Sequence, residues 1–391
     1  MLIKKFILTA ALLLTTPSIF AGTQYPQIMG MAIGNQSKYA DLVIQADAAK
    51  LDMIILGFYK GYDSIKMNGI IDNLKNLNPN ILIGQYTVLG ETQDNCGKLA
   101  GYRCDKVQAE NWWLRLANGS RTQWTTIYNA YDINVGLFST PDANGDRYPE
   151  WLVKTDYDLY FNNSKIDIWF LDNWGQARAK GDWNKDGIDE DKGSTVAQSI
   201  SRQGHLAEIA SIRSGPRSDI KIMGNAGSVQ GVPEMLTPLD FAYLECNAGM
   251  SWSIEGSLNS PTKWGSWRKM MDRYIRVGKS SVVGFGVCDG DPTNKIEFLY
   301  WYGSYLLGAQ KGAYFSYTAK ADSYSMVTRW FPEYDIDLGG AVDPPQVEPS
   351  ADGFVTRKFE KGTVRCDVQK KECSINVIGI IPKPPVNLLI Q

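Results

Sequence analysis

Histidine is nearly absent from this chain: among 391 residues there is one, His205. Zinc centres built on several imidazoles are therefore excluded. A Ser-His-Asp triad would have to run through that one side chain, and no nucleophile-elbow pattern accompanies it. His205 lies in the helical-looking stretch 199–212 and reads as a surface or packing residue. Charge of either sign is also in short excess, with 40 Lys plus Arg against 42 Asp plus Glu and no long basic run. Nucleic acid, which demands clustered cations, is not an expected partner. Beyond residue 21 no apolar run reaches the ~20 residues of a membrane span, so no integral membrane segment is expected in the mature chain. Internal repeats and organic-cofactor motifs are missing too. What remains is carboxylate chemistry.

Residues 1–21 have the form of a secretory signal peptide. Lys4 and Lys5 give a charged start, Phe6 to Leu14 an apolar core, and Ala21 a small residue before the cut. The expected location is secreted or periplasmic. Six cysteines, an even number in an exported chain, then read as disulfides. Cys96 and Cys104 close one short loop and Cys366 and Cys373 another. Cys246 and Cys288 are left, at the ends of two successive expected strands, either bridged or as buried thiols. Twelve Trp leave several for a sugar-stacking surface once a core is filled.

Short β-type runs alternate with helical patterns, which is the signature of a parallel α/β fold. The expected strands are 27–34, 52–59, 81–89, 167–174, 219–224, 241–247, 281–288 and 313–317. Eight such runs fit a (β/α)8 TIM barrel over residues 22–338 better than an open sheet. In the helix expected to start at Ser260-Pro261 and close at Gly278, Trp264, Trp267, Met271 and Tyr274 recur at helical spacing and read as a core face. Asp291-Pro292 opens the next helix. Two connections are long: the one between the third and fourth strands, and the acidic loop Asp182–Asp191. In a barrel both would lie over the catalytic face. A Gly/Pro-rich linker, 339–352, leads to short alternating strands in 353–391, a small C-terminal β appendage.

The sharpest segment is Lys165-Ile-Asp-Ile-Trp-Phe-Leu-Asp172-Asn-Trp174, an apolar run ending in a carboxylate. Active sites of such barrels sit at the C-terminal ends of strands, and a carboxylate there is costly to desolvate unless used or paired. Glycoside hydrolysis needs two carboxyl groups flanking one bond. Phe241-Ala-Tyr-Leu-Glu245-Cys-Asn247 supplies the second: Phe241, Tyr243 and Glu245 share one face by alternation, as Ile168, Phe170 and Asp172 do. The competing reading makes Asp172 a backbone-bonded barrel Asp and Glu245 half of an ion pair. Tyr59, Gln85, Tyr86, Asn173, Trp174, Asn225, Asn247, Trp252 and Tyr317 are candidates for holding sugar hydroxyls or stacking on a ring, and Asp289 and Asp291 are reserve carboxylates. In Asp182-Trp-Asn184-Lys-Asp186-Gly-Ile188-Asp-Glu190 the donors follow the first half of an EF-hand loop, which points to a structural Ca²⁺. The twelfth position is Gly193 and lacks the usual bidentate acid. The similar run Asp142–Glu150 has Arg147 in place of the glycine and reads as a turn with a helix cap.

The order Trp113-Leu-Arg-Leu-Ala-Asn-Gly119, Asn129-Ala-Tyr-Asp-Ile-Asn134, Trp151-Leu and Asp167-Ile-Trp-Phe-Leu-Asp172-Asn-Trp174 resembles glycosyl-hydrolase-like barrels. The nearest is hypothetical glycosyl hydrolase family 15. Val355-Thr-Arg-Lys-Phe359-Glu-Lys-Gly362 resembles the β segment that closes such proteins. The resemblance implies a (β/α)8 fold related to melibiase- and amylase-like hydrolases, with Asp172 as nucleophile or base and Glu245 as general acid. The expected partner is a polysaccharide or surface glycan. A catalytically inactive glycan-binding barrel and a structural envelope protein are the rival readings.

Overall fold

The computed structural model describes residues 24–34, 36–58, 64–98, 101–256, 266–322, 324, 326 and 329–378. The expected signal peptide, Tyr59, Ser260, Trp264 and the tail 379–391 lie outside them. Eight parallel strands follow one another around a barrel: β1 Met29–Ala32, β2 Met53–Leu56, β3 Leu82–Val88, β4 Ile168–Asp172, β5 Lys221–Asn225, β6 Phe241–Ala248, β7 Val282–Gly290 and β8 Tyr314–Ala319. Each pairs with its sequence neighbours, and a parallel bridge between Ile28 and Phe315 joins the first strand to the last. All eight expected strands are present, with their ends moved by at most three residues.

Alternation sorts the strand side chains into two cores. Met29, Met31, Met53, Ile55, Ile168, Phe170, Met223, Phe241, Tyr243 and Tyr314 fill the barrel. The intervening residues, among them Ile54, Leu56, Ile83, Trp169, Leu171, Ile222, Leu244, Val283 and Phe285, face the helices. Gly84 and Gly284 are required inside the barrel. A Cβ on Gly84 would sit 2.4 Å from Ile55 Cδ1, and one on Gly284 2.8 Å from Met29 Sδ and Tyr243 Cδ2.

Three aspartates stitch the N-terminal end of the barrel. Asp52, Asp167 and Asp240 each stand just before an even-numbered strand. Each accepts a backbone N–H from the strand before it: Ile28 at 2.7 Å, Ile83 at 2.8 Å and Ile222 at 2.9 Å. Asp167 also pairs with Lys75, and Asp240 with Arg213 and Lys221.

The long β3–β4 connection has a core of its own. Trp112, Trp113, Leu114, Ile133, Val135, Tyr148 and Leu152 pack with Ala177, Ala179, Trp183, Ala197 and Ile200. A two-stranded ribbon, Glu91–Gln93 with Ala130–Asp132, ties it to the end of β3. The insertion is thus a packed layer resting on the loop and helix after β4. Glu150 accepts the Arg147 N–H at the start of the helix Tyr148–Asp156, so this turn does end in a helix cap.

One helix start differs from expectation. The helix Lys295–Gly308 is capped by Asn294, whose side chain accepts the Glu297 N–H; Asp291 instead accepts from Thr293 in the turn before. Within the described residues Ser266 caps the helix Trp267–Gly278. There Trp267, Met271 and Tyr274 are buried as the spacing predicts.

All three cysteine pairs are bridged: Cys96–Cys104, Cys246–Cys288 and Cys366–Cys373. The appendage is a three-stranded antiparallel sheet, Val355–Phe359, Gly362–Asp367 and Glu372–Val377. It packs on the helix Lys295–Gly308 close to Gly303, where a Cβ would lie 2.6 Å from Cys373 Cβ. The buried Arg357 reaches the C-terminal end of that helix. Its Nη1 donates to the carbonyls of Leu306 (2.7 Å), Leu307 (3.3 Å) and Ala309 (2.8 Å), groups a helix leaves unpaired. Arg357→Ala should therefore destabilise the chain by about 3 kcal/mol, because buried carbonyls lose a charged donor. Urea denaturation measures this, and a loss within error of zero would show that the appendage does not anchor the helix.

Candidate active site

Four adjacent strands deliver four side chains to the C-terminal mouth of the barrel: Tyr86 from β3, Asp172 from β4, Asn225 from β5 and Glu245 from β6. The Asn225 amide nitrogen donates to Asp172 Oδ1 at 2.9 Å and to Glu245 Oε2 at 2.6 Å. The two oxygens that share this nitrogen are therefore no farther apart than the sum of those distances, ~5.5 Å. The Tyr86 hydroxyl donates to Asp172 Oδ2, and its ring stacks on Phe170. On the other side the Tyr324 hydroxyl donates to Glu245 Oε1 at 2.8 Å.

The backbone turns sharply after each acid. Asn173, directly after Asp172, has φ 55°, and Cys246, directly after Glu245, has φ 46°. Both are left-handed positions that non-glycine residues seldom occupy, and such strain gathers at functional sites. Cys246 is bridged to Cys288 at the end of β7, and the Cys288 sulfur lies 3.1 Å from the Tyr324 hydroxyl.

The Glu245 carboxyl is held above the usual range, first by burial and then by the negative charge of Asp172. The donors Tyr324 and Asn225 and the charge of Arg178 act against the rise. A carboxyl that keeps its proton beside another acid is what a general acid requires. Two further acids stand close by. Glu91, at the start of the ribbon, accepts from the Trp124 indole and is pushed up by burial. Asp132 accepts the Trp124 N–H at 2.9 Å and is pushed up to about 7, by burial first and by Glu91 next. Arg178 faces both, lies 3.3 Å over the Trp124 ring and donates to Asn173 Oδ1.

The remaining candidates divide. Trp252 is 58 % exposed on the loop after β6, at the same end of the barrel as the acids. Trp174 does not stack on a ligand: it is fully buried, bonded to the Met235 carbonyl and set edge-on to His205. The left-handed turn at Asn173 carries the indole out of the strand's alternation. Tyr317 is also misassigned, since Tyr314 and Ser316 are the inward residues of β8 and Tyr317 packs outward on Phe298 and Phe331. Gln85 likewise points outward and closes on the backbone of Phe58 and Tyr86. Asn247 is fully buried, with no hydrogen bond to its amide. Asp289 is exposed. Sequence reasoning missed Tyr324, Glu91 and Arg178. Tyr324 lies in a stretch without periodicity and gave no signal, whereas Glu91 could have been found as an acid just past the end of β3.

In the acidic loop the carboxylates are turned onto the loop's own amides. Asp182 accepts from Asp186 and Gly187, Asp186 from Ile188, and Glu190 from Trp183. The oxygens are of the type calcium prefers. Among the described residues, however, no three acids of this loop bring oxygens within 4.8 Å of one another.

Residues 75–363 match the family described as hypothetical glycosyl hydrolase family 15. The chain belongs to this family. As a member of hypothetical glycosyl hydrolase family 15 it is a glycoside hydrolase, built on a barrel. No curated relative matches the sequence. Solved structures resemble it at low identity. The α-amylase of Geobacillus thermoleovorans with acarbose is 11 % identical over 84 % of this chain and 78 % of that one, with a TM-score of 0.47. The cyclic α-maltosyl-(1→6)-maltose hydrolase of Arthrobacter globiformis is 11 % identical over 93 % of each, with a TM-score of 0.45.

Opposite perturbations of Glu245 test this electrostatic description. Asp172→Asn removes a charge that raises the Glu245 pKa and should lower it. Tyr324→Phe removes a donor to the carboxylate and should raise it further. Carboxyl-carbon NMR titration reads both, and shifts of the same sign in the two variants would contradict the geometry.

Proposed function

We propose that this glycoside hydrolase is exported and cleaves a polysaccharide or surface glycan with retention of anomeric configuration. The observation that carries the reading is the single Asn225 amide shared by Asp172 and Glu245, which holds an oxygen of each carboxyl near the other and favours the shorter of the two separations that glycosidases use. In the first step Asp172 attacks the anomeric carbon, the glycosidic C–O bond breaks, and the Glu245 proton passes to the departing oxygen. In the second, the Glu245 carboxylate takes a proton from water as its oxygen attacks the same carbon, and Asp172 is released. Asn225 and Tyr86 orient the nucleophile; Asn225 and Tyr324 orient the acid. Three disulfides support an oxidising compartment, and residues 1–21 support a secretory route. Among the described residues no helix is long and apolar enough to cross a membrane.

Glu245→Gln and Asp172→Asn should each cut turnover by about 10²–10⁴-fold, while glycan binding survives. Proton NMR of the first-formed product should show the substrate's own anomer. An inverted product removes the two-step mechanism, and a wild-type chain that binds a glycan panel without hydrolysing any member favours the inactive binding barrel.

Structural calcium at Asp182, Asn184, Asp186, the Ile188 carbonyl and Glu190 is a separate proposal, resting on the donor spacing alone. Added Ca²⁺ should raise the melting temperature and chelator should lower it. A temperature indifferent to both removes the ion.

A further inference from the structure

Beside Asp172 lies a small cavity that the two-carboxylate mechanism leaves unused. Glu91, Asp132, Asn173, Gln176, Arg178, Ser201 and His205 supply its polar wall, Gln176 with its Oε1 already taken by the Ser228 hydroxyl, and the space inside is water-sized. Asn173 links it to the nucleophile, being the residue after Asp172. Two walls are deeply buried: His205 is 1 % exposed and Asp132 4 %.

The hydrogen-bonding balance of this wall is lopsided. His205 Nδ1 is 2.9 Å from the Ser201 carbonyl, a group that only accepts, so Nδ1 carries the hydrogen and Nε2 is left as a lone pair. That Nε2 is buried and has no partner. Burial pushes the ring down to about 4, so it stays neutral and accepting at ordinary pH. Glu91 and Asp132 add carboxyl oxygens. The Arg178 guanidinium, the cation among these wall residues, is already engaged with Asn173 Oδ1 and the Trp124 ring. Arg103, which also acts on Glu91, donates to Tyr148 and to the Val88 and Glu91 carbonyls. The carboxyls repel one another: Asp172 acts on Glu91, and Glu91 on Asp132. A group that donates several hydrogen bonds and brings positive charge would satisfy the orphan nitrogen and relieve that repulsion together.

We propose that this cavity is a subsite for a protonated primary amine on the sugar held at Asp172, so that the substrate is an amine-bearing, de-N-acetylated glycan. The inference deepens the hydrolase reading and rests on it for the placement of the sugar. An ammonium group matches the water-sized space, whereas an N-acetyl group exceeds it. A neutral sugar offers a hydroxyl, which donates one hydrogen bond and adds no positive charge to what Arg178 and Arg103 already supply.

The test uses calorimetric binding in the Glu245→Gln chain, which arrests turnover without touching the cavity wall. Glucosamine and galactosamine oligomers are each compared with their N-acetylated and neutral counterparts. In at least one trio the amine form should bind about tenfold more tightly than both others, the scale of a charge-assisted contact. Glu91→Gln and Asp132→Asn should each shrink that preference to about threefold or less. No amine preference in any trio, or a preference that survives both substitutions, overturns the proposal. So does competition by ammonium chloride at the oligomer's own concentration, which would mark a site for a free inorganic cation. Wild-type turnover is scored separately. Amine binding without hydrolysis sinks the hydrolase reading alone, and hydrolysis confined to neutral glycans sinks this inference alone.

Discussion

One side-chain amide determines the architecture of the mouth. Two carboxyl groups from neighbouring regions of a barrel repel when ionised, and removing water from between them strengthens the repulsion. Asn225 has two amide hydrogens and gives one to each acid. It therefore holds Asp172 and Glu245 together without neutralising either, as an Arg or Lys in that position would. The asymmetry of the pair then comes from what lies outside it. Burial and the neighbouring Asp172 charge raise the Glu245 pKa, while the Tyr324 hydroxyl, itself against the Cys288 sulfur, donates to its other oxygen.

The same residue type serves opposite ends of the same strands. Strand β4 is bracketed by Asp167 below and Asp172 above, and β6 by Asp240 below and Glu245 above. At the N-terminal end the carboxylates accept strand amides and pair with Lys or Arg, so their charge is matched. At the C-terminal end the matching cation is scarce, and the acids meet neutral donors and each other. That is the end at which the active sites of such barrels sit.

This contrast also explains how much of the site is legible in the sequence. Period-two alternation holds as far as the two acids, so it places Ile168, Phe170 and Asp172 on the inward face, and Phe241, Tyr243 and Glu245 likewise. It fails at the residue after each acid. Asn173 adopts φ 55°, and the expected cleft tryptophan, Trp174, turns into the core. In β8 the neighbours Tyr314 and Phe315 are both large aromatics, so composition does not choose which parity faces in, and alternation alone puts Tyr317 on the wrong side. Tyr324 is illegible for another reason: it reaches Glu245 from a stretch that follows the last strand and obeys no period.

The β3–β4 insertion is recognisable by length alone, yet its length is the lesser fact about it. A long connection without a core would be a mobile cover; this one buries Trp112, Trp113 and Tyr148 against the loop and helix after β4. Glu91, Trp124 and Asp132 are consequently fixed relative to Asp172, and Glu91 stays within electrostatic reach of it, Asp132 within reach of Glu91. Positioning acids on a rigid layer is costly, because buried carboxyls that cannot move apart must take up protons or find a cation. A layer that folds around such an arrangement, next to an unpartnered imidazole nitrogen, is built for something that supplies positive charge from outside the chain.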